Sequence, residues 1–310
     1  MRILVLGVGV IGSVYAAKLM QAGHEVVMLA RGRRVTDLRV NGLVLQDAES
    51  GDRSVLAVRC VSEVSAVDRF DLVLVPVRAE QLLSTLPLLT AMDDGSDVLI
   101  FGNPADHRAE VVAALGGRVL FGFPAAGGTR DGPVVRYVLI SQQKTMLGEP
   151  DGTTTPRVRR LDGVLSGAGF PTTISADIGG WLLGHAAFVV PIAFALYRSG
   201  VDATRLAADR ATMQLMVLAT REAFTALRQD GNNQIPTNLR ALYCLPTVVV
   251  IAYWRRVLAG PRGELWFAGH SRAAPEEMRA VAHELQGALR RANRPTPHLD
   301  RLLALGLERP

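Results

Sequence analysis

Residues 1–32 of the chain, MRILVLGVGVIGSVYAAKLMQAGHEVVMLARG, decide the fold of its N-terminal part. The apolar run at 2–7 ends in glycine, which predicts a buried strand of a parallel sheet. Residues 11–22 repeat apolar side chains at helical spacing up to Gly23, and the apolar run at 25–30 predicts a second strand. The stretch therefore predicts a strand, a helix and a strand in immediate succession.

Three glycines lie where the first strand passes into the helix. Gly7, Gly9 and Gly12 form the pattern G-x-G-x-x-G there. The first glycine of this pattern makes a tight turn, the second lets a pyrophosphate approach the backbone, and the third lets the helix pack closely on the strand. The helix N-terminus offers free N–H groups and the positive end of its dipole to phosphates. We therefore expect a dinucleotide to bind at Gly7, Gly9, Val10, Ile11 and Gly12.

An arginine follows the second strand, where the adenosine ribose of a dinucleotide is expected. The strand ends LARG (29–32), with no acidic residue to hold the ribose 2′-hydroxyl of NAD(H). Arg31, with Arg33 and Arg34 nearby, suits a 2′-phosphate instead, because a guanidinium pairs well with phosphate oxygens. The pattern favours NADPH as the cofactor. The alternative interpretation is that Arg31 only faces solvent.

The rest of the sequence predicts a two-domain α/β protein. Further strands are expected at 71–75, 97–101, 118–126, 134–140 and 144–149, and helices around 79–92 and at 157–168, 177–199, 204–229, 239–259, 275–293 and 298–305. The early alternation of strand and helix is typical of a parallel sheet covered on both faces. We expect a Rossmann-type NADP-binding domain at 1–175, followed by an all-helical substrate or dimerisation domain at 176–310.

Composition and charge exclude other classes of protein. The 310 residues are 49% hydrophobic and 20% charged, which is typical of a globular chain. The net charge is +5, but the arginines are scattered and no recognition motif accompanies them, so we expect no nucleic-acid partner. The longest apolar run, Trp181–Tyr197, is interrupted by His185 and Pro191 and predicts a buried helix and no membrane span.

The two cysteines and the N-terminal residues indicate the cellular compartment of the protein and whether it binds a metal ion. Cys60 and Cys244 stand at no metal-binding spacing, so we expect free thiols and no metal site. The chain opens with a strand and has no basic-then-apolar leader. Both features predict a cytoplasmic protein.

The glycine-rich opening GVGVIGSVYAAKLMQAGHEVVMLARG (7–32) and several later segments resemble the ketopantoate reductases. The similarity covers nearly the whole chain and is carried by GLVLQD (42–47), DLVLVPVRAEQ (71–81), VLIFGN (98–103), GFPAAGGTRDGPVV (122–135), GPRGEL (260–265) and PTPHLDRLL (295–303). The resemblance implies hydride transfer from NADPH to a 2-keto group. It also implies a lysine that protonates the forming alkoxide, and a glutamate and asparagines that position the substrate.

The resemblance assigns roles to several residues of this chain. Glu264 matches the substrate-binding glutamate, Asn103 is expected to line the nicotinamide cleft, and Arg78 stands where the family has a lysine after a strand. As a fixed cation, Arg78 can pair with a phosphate or carboxylate. The alternative interpretations are a surface carboxylate for Glu264, loop capping for Asn103 and a solvent-exposed arginine at 78.

The family's catalytic lysine and two asparagines, spaced i, i+4 and i+8 on one helix, are replaced in this chain. Aligned on Trp181, these positions become Leu183, Ala187 and Pro191; aligned on Pro191, they become Leu182, Ala186 and Val190. The lysines of the chain, Lys18 and Lys144, both lie in its first half. His185 is the candidate replacement, because an imidazolium donates protons near neutral pH. The alternative is a buried packing histidine.

Three functions remain open from the sequence. The first is an NADPH-dependent reductase of a small carbonyl or imine other than ketopantoate, with His185 or a bound water as proton donor. The second is a true 2-dehydropantoate 2-reductase with a relocated acid. The third is a catalytically silent NADP-binding sensor or partner protein. The helices around 181–197 and 245–254 are apolar nearly all round, which suits a homodimer; burial between the two domains is the alternative explanation of the same pattern.

Overall fold

The computed structural model describes residues 1–65, 68–92 and 95–307. The chain divides into two compact units, Met1–Ile178 and Gly179–Pro310, which we call the N-terminal unit and the helical unit.

In the described residues, the N-terminal unit contains alternating strands and helices. Its strands are β1 (Arg2–Leu6), β2 (Glu25–Leu29), β3 (Leu43–Asp47), β4 (Arg53–Leu56), β5 (Arg59–Val61), β6 (Leu72–Val75), β7 (Asp97–Phe101), β8 (Val119–Phe123), β9 (Ala126–Asp131), β10 (Val134–Leu139), β11 (Thr145–Gly148) and β12 (Thr172–Ile174). Its helices are α1 (Val10–Gln21), α2 (Arg33–Asn41), α3 (Ala79–Leu82), α4 (Leu86–Ala91), α5 (Arg108–Leu115) and α6 (Pro156–Gly167), with short 3₁₀ turns at Leu83–Thr85, Ala105–His107 and Gly116–Arg118.

The main sheet runs in the order β12-β11-β8-β7-β6-β1-β2-β5 within the described residues. Its strands pair in parallel, except for β8 with β11. The central strand β1 lies between β2 and β6, with Val5 opposite both Met28 and Leu74. Ile3, Leu4 and Val5 are fully buried because both faces of the sheet are covered. The predicted Rossmann-type parallel sheet is confirmed.

A second sheet, which the sequence did not predict, has the order β4-β3-β10-β9. Helix α1 packs against it as well as against the main sheet, and Val14 of α1 shares a core with Val135 of β10. Strand β9 contains Gly127 and Gly128, which lie between the strands predicted at 118–126 and 134–140. A Cβ on Gly128 would lie 2.1 Å from the carbonyl oxygen of Arg136, so the close approach of two strands requires glycine there.

The helical unit contains, in its described residues, α7 (Ile178–Arg198), α8 (Ala203–Ala208), α9 (Arg210–Gln229), α10 (Thr237–Cys244), α11 (Thr247–Leu258), a π-helix (Gly263–Ala268), α12 (Gly269–Ala273), α13 (Pro275–Arg291) and α14 (Pro297–Leu307). The all-helical character of this part of the chain is confirmed. The single helices predicted at 204–229 and 239–259 are wrong, because each is divided in two. Asp209 ends α8 and caps α9, because its side chain accepts a hydrogen bond from the Thr212 N–H. Pro246 separates α10 from α11 and is the N-cap of α11.

Helix α7 contributes buried side chains from Ala186 to Leu196 to the core of the helical unit. Among the described helices it is long and apolar enough to cross a membrane by length and composition, with a mean hydropathy of 1.7. However, 78% of its most apolar window is buried inside the structure, as in the core helix of a folded domain. This agrees with the predicted buried helix.

Candidate functional site

The turn between β1 and α1 has the backbone geometry that its glycines allow. Gly7 has φ of +116°, and a Cβ there would lie 2.8 Å from Cγ1 of Val77. A Cβ on Gly12 would lie 2.0 Å from the carbonyl oxygen of Gly7. The first and third glycines are therefore needed for the turn itself and for close packing of α1 on β1.

Gly9 is different, because the space beside it is open. No atom lies within 4 Å of a Cβ placed on Gly9, although its backbone is extended and suits other residues. Gly9 caps α1, whose first turn (Val10, Ile11 and the next residues) carries no acidic side chain. The turn thus presents open space, backbone N–H groups and the positive end of a helix dipole, the combination that a pyrophosphate requires. These residues fit a dinucleotide.

The loops that follow β1, β6 and β7 meet at the carboxyl edge of the main sheet. Besides the approach of Gly7 to Val77, a Cβ on Gly102 would lie 3.7 Å from the carbonyl oxygen of Val77. The sheet order places the switch point of a doubly wound sheet beside β1, between β2 and β6 on its two sides. Ligands of such sheets bind at this edge. The structure therefore brings together the glycine turn and the loops that carry Arg78 and Asn103.

Arg78 and Asn103 occupy these loops in different ways. Arg78 is exposed at the N-terminal end of α3, and its Nη1 lies 4.0 Å from Oε1 of Glu80. Asn103 is buried, and its Oδ1 accepts a hydrogen bond of 2.9 Å from the Ala105 N–H. Asn103 thus holds the loop after β7 in shape, as in the loop-capping interpretation. Arg78 remains available to an anionic ligand at this edge.

The three arginines after β2 differ sharply in environment. Arg31 and Arg33 are exposed, and Arg33 lies 3.9 Å from an oxygen of Asp37. Arg34 is buried, and its Nη2 donates to Oγ of Ser13 at 3.2 Å. In the sequence, Arg34 is one of three neighbouring cations. No sequence signal distinguishes it from Arg31 and Arg33, because arginine is usually exposed.

In the helical unit, His185 lies on α7 in an aromatic environment. Its ring stacks on Trp181 with centroids 5.3 Å apart, and lies 6.3 Å from the ring of Phe188. Burial, and secondarily the positive charge of His270, lower the pKa of His185 to about 3. At neutral pH the ring is therefore neutral. The role of His185 as an imidazolium donor near pH 7 stays a prediction, and desolvation of the charged ring disfavours it.

Glu264 lies on the π-helix, a type of helix that is often associated with functional sites. Its carboxylate is about half exposed and pairs with Arg272, with Oε1 2.7 Å from Nη1. Arg272 also donates to the carbonyl oxygen of Val201 at 3.0 Å, and its hydrogen bond to Glu264 raises the pKa of Arg272. Glu264 and Arg272 line a pocket of about 450 Å³ with Asp202 and Thr204. Arg272 was not among the predicted site residues, because no sequence motif marks it.

The basic run at 157–160 also has a structural explanation. Arg157 donates from Nε to Oε1 of Glu149 at 2.8 Å and lies 3.4 Å from Asp97, while the Glu149 side chain is only 3% exposed. Arg160 pairs with Asp97 at 2.6 Å. Arg157 and Arg160 thus connect α6 to the main sheet through ion pairs, and they do not form an unpaired basic surface. Among the described residues, no group of three or more histidine, cysteine or acidic side chains suits a metal ion.

The whole chain has relatives of known sequence and structure. Residues 3–152 match the family model described as ketopantoate reductase PanE/ApbA. A 2-dehydropantoate 2-reductase of Mesorhizobium japonicum is 28% identical over 338 aligned residues, which cover 98% of this chain and 96% of that protein.

Solved structures have the same fold. The 2-dehydropantoate 2-reductase of Geobacter metallireducens GS-15 aligns with a TM-score of 0.82 at 18% identity over 99% of each chain. The ternary structure of D-mandelate dehydrogenase with NADH and anilino(oxo)acetate aligns with a TM-score of 0.77 at 18% identity, over 99% of this chain and 97% of that one. The match over residues 3–152 and the similarity to a 2-dehydropantoate 2-reductase along the whole chain identify the protein as an oxidoreductase that resembles the ketopantoate reductases.

Proposed function

We propose that this protein is an NADPH-dependent reductase that transfers hydride to the carbonyl or imine of a small substrate other than ketopantoate. One observation carries the proposal: a complete dinucleotide turn is combined with a helix α7 that is apolar where the family resemblance implies a lysine and asparagines. The positions given by either alignment are Leu182, Leu183, Ala186, Ala187, Val190 and Pro191, and none of them carries a polar side chain.

The N-terminal unit supports the cofactor part of the proposal. Gly9 leaves space for a pyrophosphate beside the first turn of α1, and exposed Arg31 follows β2 where the ribose 2′-substituent is expected. Arg78 and Asn103 stand in the neighbouring loops, where Arg78 would pair with an anionic group and Asn103 would shape the nicotinamide cleft. When bound, NADPH supplies the hydride. The protein residues bind and orient the cofactor.

The helical unit supports a changed substrate and a changed proton donor. Ala186, Ala187 and Val190 are fully buried, so α7 offers packing surface in place of hydrogen bonds. A neutral His185 can accept or donate one hydrogen bond but is a weak acid. We therefore propose that a water molecule supplies the proton to the forming alkoxide or amine, and that His185 orients that water.

Glu264 is the proposed substrate-binding carboxylate. It pairs with Arg272, and the pocket beside it is polar, with Asp202 and Thr204 in its lining. A carboxylate in this setting accepts hydrogen bonds from a hydroxyl or amine of the substrate. The proposed substrate therefore has a hydroxyl or amine that binds Glu264 and an apolar substituent on its carbonyl that contacts the apolar side chains of α7.

The proposed assembly is a cytoplasmic homodimer. An exposed apolar face runs along α11 and the turn before it, with Val248 65% exposed; it consists of Leu245, Val248, Val249 and Tyr253. Exposed apolar patches of this kind favour association, and a second copy of the chain is the partner that we propose. Free Cys60 and Cys244 suit a reducing compartment.

The experiment that tests the function is a substrate panel with the full-length protein and NADPH. Ketopantoate is tried first, followed by bulkier 2-oxo acids, aldehydes and cyclic imines, with NADPH oxidation followed by absorbance. The proposal predicts turnover of a panel member and little with ketopantoate. Efficient turnover of ketopantoate would favour the alternative of a true 2-dehydropantoate 2-reductase. Tight NADPH binding without any turnover would favour the silent binding protein.

A further inference from the structure

The helical unit contains a second pocket, of about 400 Å³, between the end of α13 and the start of α14. None of the residues proposed to bind the cofactor or the substrate lines it. Arg290 and Arg294 line this pocket, and both are exposed. In the part of the chain that the structure describes, neither guanidinium has an ion pair or a side-chain hydrogen bond. Two cations therefore line one concave surface without a protein anion bound to either of them.

Thr296 is a buried polar residue in the wall of the same pocket. It is 5% exposed, it directly precedes α14, and its carbonyl oxygen accepts the Asp300 N–H, so it occupies the N-cap position of α14. A threonine hydroxyl at this position usually accepts a hydrogen bond from the second or third N–H of the helix. Glu222 of α9 accepts both of these instead, from the N–H of His298 at 2.8 Å and the N–H of Leu299 at 3.1 Å.

The hydroxyl of Thr296 is consequently left for the pocket. It has no hydrogen-bond partner among the described side chains and main-chain groups. Hydroxyl groups of buried residues are normally hydrogen-bonded, so this one indicates that the pocket receives a polar ligand.

An acidic side chain also lines the pocket and restricts the choice of ligand. Oδ1 of Asp300 accepts a hydrogen bond of 2.9 Å from Nε2 of Gln286. Asp300 offsets one of the two arginine charges, so an excess of one positive charge remains. A carboxylate repels an anion but accepts hydrogen bonds from hydroxyl groups. A ligand that presents an anion to the arginines and a hydroxyl to Asp300 therefore suits all of these side chains.

The dipole of α13 accounts for its last basic residues but not for the whole pocket. Arg290 and Arg291 lie in the last turn, where a cation offsets the negative end of the helix. The side chain of Arg291 lies along the helix, with Nη1 3.3 Å from the position of a Cβ on Gly287, and it does not line the pocket. Arg294 lies beyond the end of α13, where the dipole effect has fallen off. The presence of Arg290 and Arg294 in one pocket therefore requires a further explanation.

We propose that this pocket is a binding site for a phosphate monoester that carries a hydroxyl group. Two guanidinium groups match a phosphate monoester, which is close to a dianion at neutral pH and accepts paired hydrogen bonds from arginine. The hydroxyl of Thr296 donates to the same phosphate, and Asp300 accepts a hydrogen bond from the hydroxyl of the ligand. A volume of about 400 Å³ holds a small polyol phosphate or sugar phosphate. The site takes no part in hydride transfer and does not depend on the proposed function.

NMR of the arginine side chains tests the site directly. We would label the arginines of the full-length protein with ¹⁵N and follow their Nε–H signals during a titration with glycerol 3-phosphate. Arg290→Gln, Arg291→Gln and Arg294→Gln assign the three signals, because each variant lacks one of them. In the wild type, the signals of Arg290 and Arg294 should shift along one binding curve, whereas the signal of Arg291 should stay in place. Because the readout is local, binding of the same probe at the glycine turn does not obscure it.

Substitutions in the pocket should weaken the binding of glycerol 3-phosphate by different amounts. Arg290→Gln, followed through the Arg294 signal, and Arg294→Gln, followed through the Arg290 signal, should each weaken it by about 10-fold or more, because a hydrogen bond to a charged group contributes this order of affinity. Thr296→Val should weaken it about 5-fold, and Thr296→Ser should keep the wild-type affinity. The matched control, Arg291→Gln, removes the same charge from the same turn and should change the affinity by less than about 2-fold, because salt screens a charge outside the pocket.

Three results would overturn the inference. The first is that the signals of Arg290 and Arg294 do not move at millimolar glycerol 3-phosphate. The second is that Arg291→Gln weakens binding as much as Arg290→Gln, since the probe then responds only to the overall positive charge. The third is equal binding of succinate, a dianion with neither a phosphate nor a hydroxyl, which would show a general anion site. NADPH titration tests the proposed function separately, so either proposal can fail without the other.

Discussion

The α-carbon of Gly12 faces the carbonyl oxygen of Gly7 so closely that a methyl group there would lie 2.0 Å from that oxygen. Both partners in this contact are main chain, so no side chain can rotate away to make room. The contact fixes α1 against β1, and with it the direction in which the helix N-terminus points. The proposed cofactor site depends on this relationship.

Two alanine substitutions in the glycine turn should therefore affect different properties, one the stability and the other the cofactor affinity. Gly12→Ala should destabilise the N-terminal unit by about 3 kcal/mol or more, because overpacking against main chain forces a backbone shift. Gly9→Ala should leave thermal stability unchanged, because a Cβ meets no atom within 4 Å, but should weaken NADPH binding at least 10-fold by filling the open space. Differential scanning calorimetry and NADPH titration measure the two effects. Equal stability of the two variants would contradict this account of the turn.

The pH dependence of stability should report the environment of His185. Its pKa is lowered from 6.5 to about 3, so between these values the unfolded chain binds a proton that the folded chain does not. Stability should therefore fall as pH drops below 6.5, by up to about 1.4 kcal/mol per pH unit from this residue. His185→Phe keeps an aromatic ring against Trp181 and removes the titrating imidazole. The urea denaturation midpoint of this variant should therefore change less with pH than that of the wild type. Identical pH slopes for wild type and variant would show that the ring is not desolvated.

The ion pair of Arg157 and Glu149 should contribute strongly to stability. Replacing Arg157 with methionine leaves the nearly inaccessible Glu149 carboxylate without its partner, which should cost on the order of 3 kcal/mol. Arg159→Met, at an exposed position of the same basic run, should change the free energy of unfolding by less than about 0.5 kcal/mol. Urea denaturation measures both. Equal costs would mean that Glu149 finds another cation or is protonated.

The apolar face of α11 predicts the oligomeric state. Sedimentation velocity should show a dimer for the wild type and a monomer for Val248→Asp, because a carboxylate in a packed interface is left desolvated and unpaired. Val40→Asp is the control, since Val40 is 75% exposed on α2 and lies outside the proposed interface. A wild-type monomer, or a dimer that persists in Val248→Asp, would remove this surface from consideration.

The first βαβ unit could be predicted closely from the sequence because its signals are local. The apolar run before Gly7, the helical spacing up to Gly23 and the glycine pattern each depend on a few neighbouring residues. The predicted strand at 2–7 is β1 (Arg2–Leu6), and the predicted helix at 11–22 is α1 (Val10–Gln21). The roles of Gly9 and Gly12 could likewise be stated in advance, although the open space beside Gly9 is known only from the structure.

The features that were missed depend on residues far apart in sequence. Strand β4 is mostly exposed and has no apolar run, and Gly127 and Gly128 in β9 look like a turn until the neighbouring strand is in place. The break at Asp209 lies within a continuous helical pattern, since an N-cap acts through one hydrogen bond. The burial of Arg34 and the lowered pKa of His185 arise from tertiary neighbours, and no local pattern predicts them.

The central claim, a reductase that uses NADPH, is tested most directly by titrating the wild-type protein with NADPH and NADH and following the nicotinamide fluorescence. We predict that NADPH binds at least 10-fold more tightly than NADH, and that Arg31→Gln narrows this difference, because a charge-assisted hydrogen bond to a phosphate contributes affinity of this order. Equal affinities for the two cofactors, unchanged in Arg31→Gln, would contradict the NADPH assignment. The absence of binding to either would contradict the function itself.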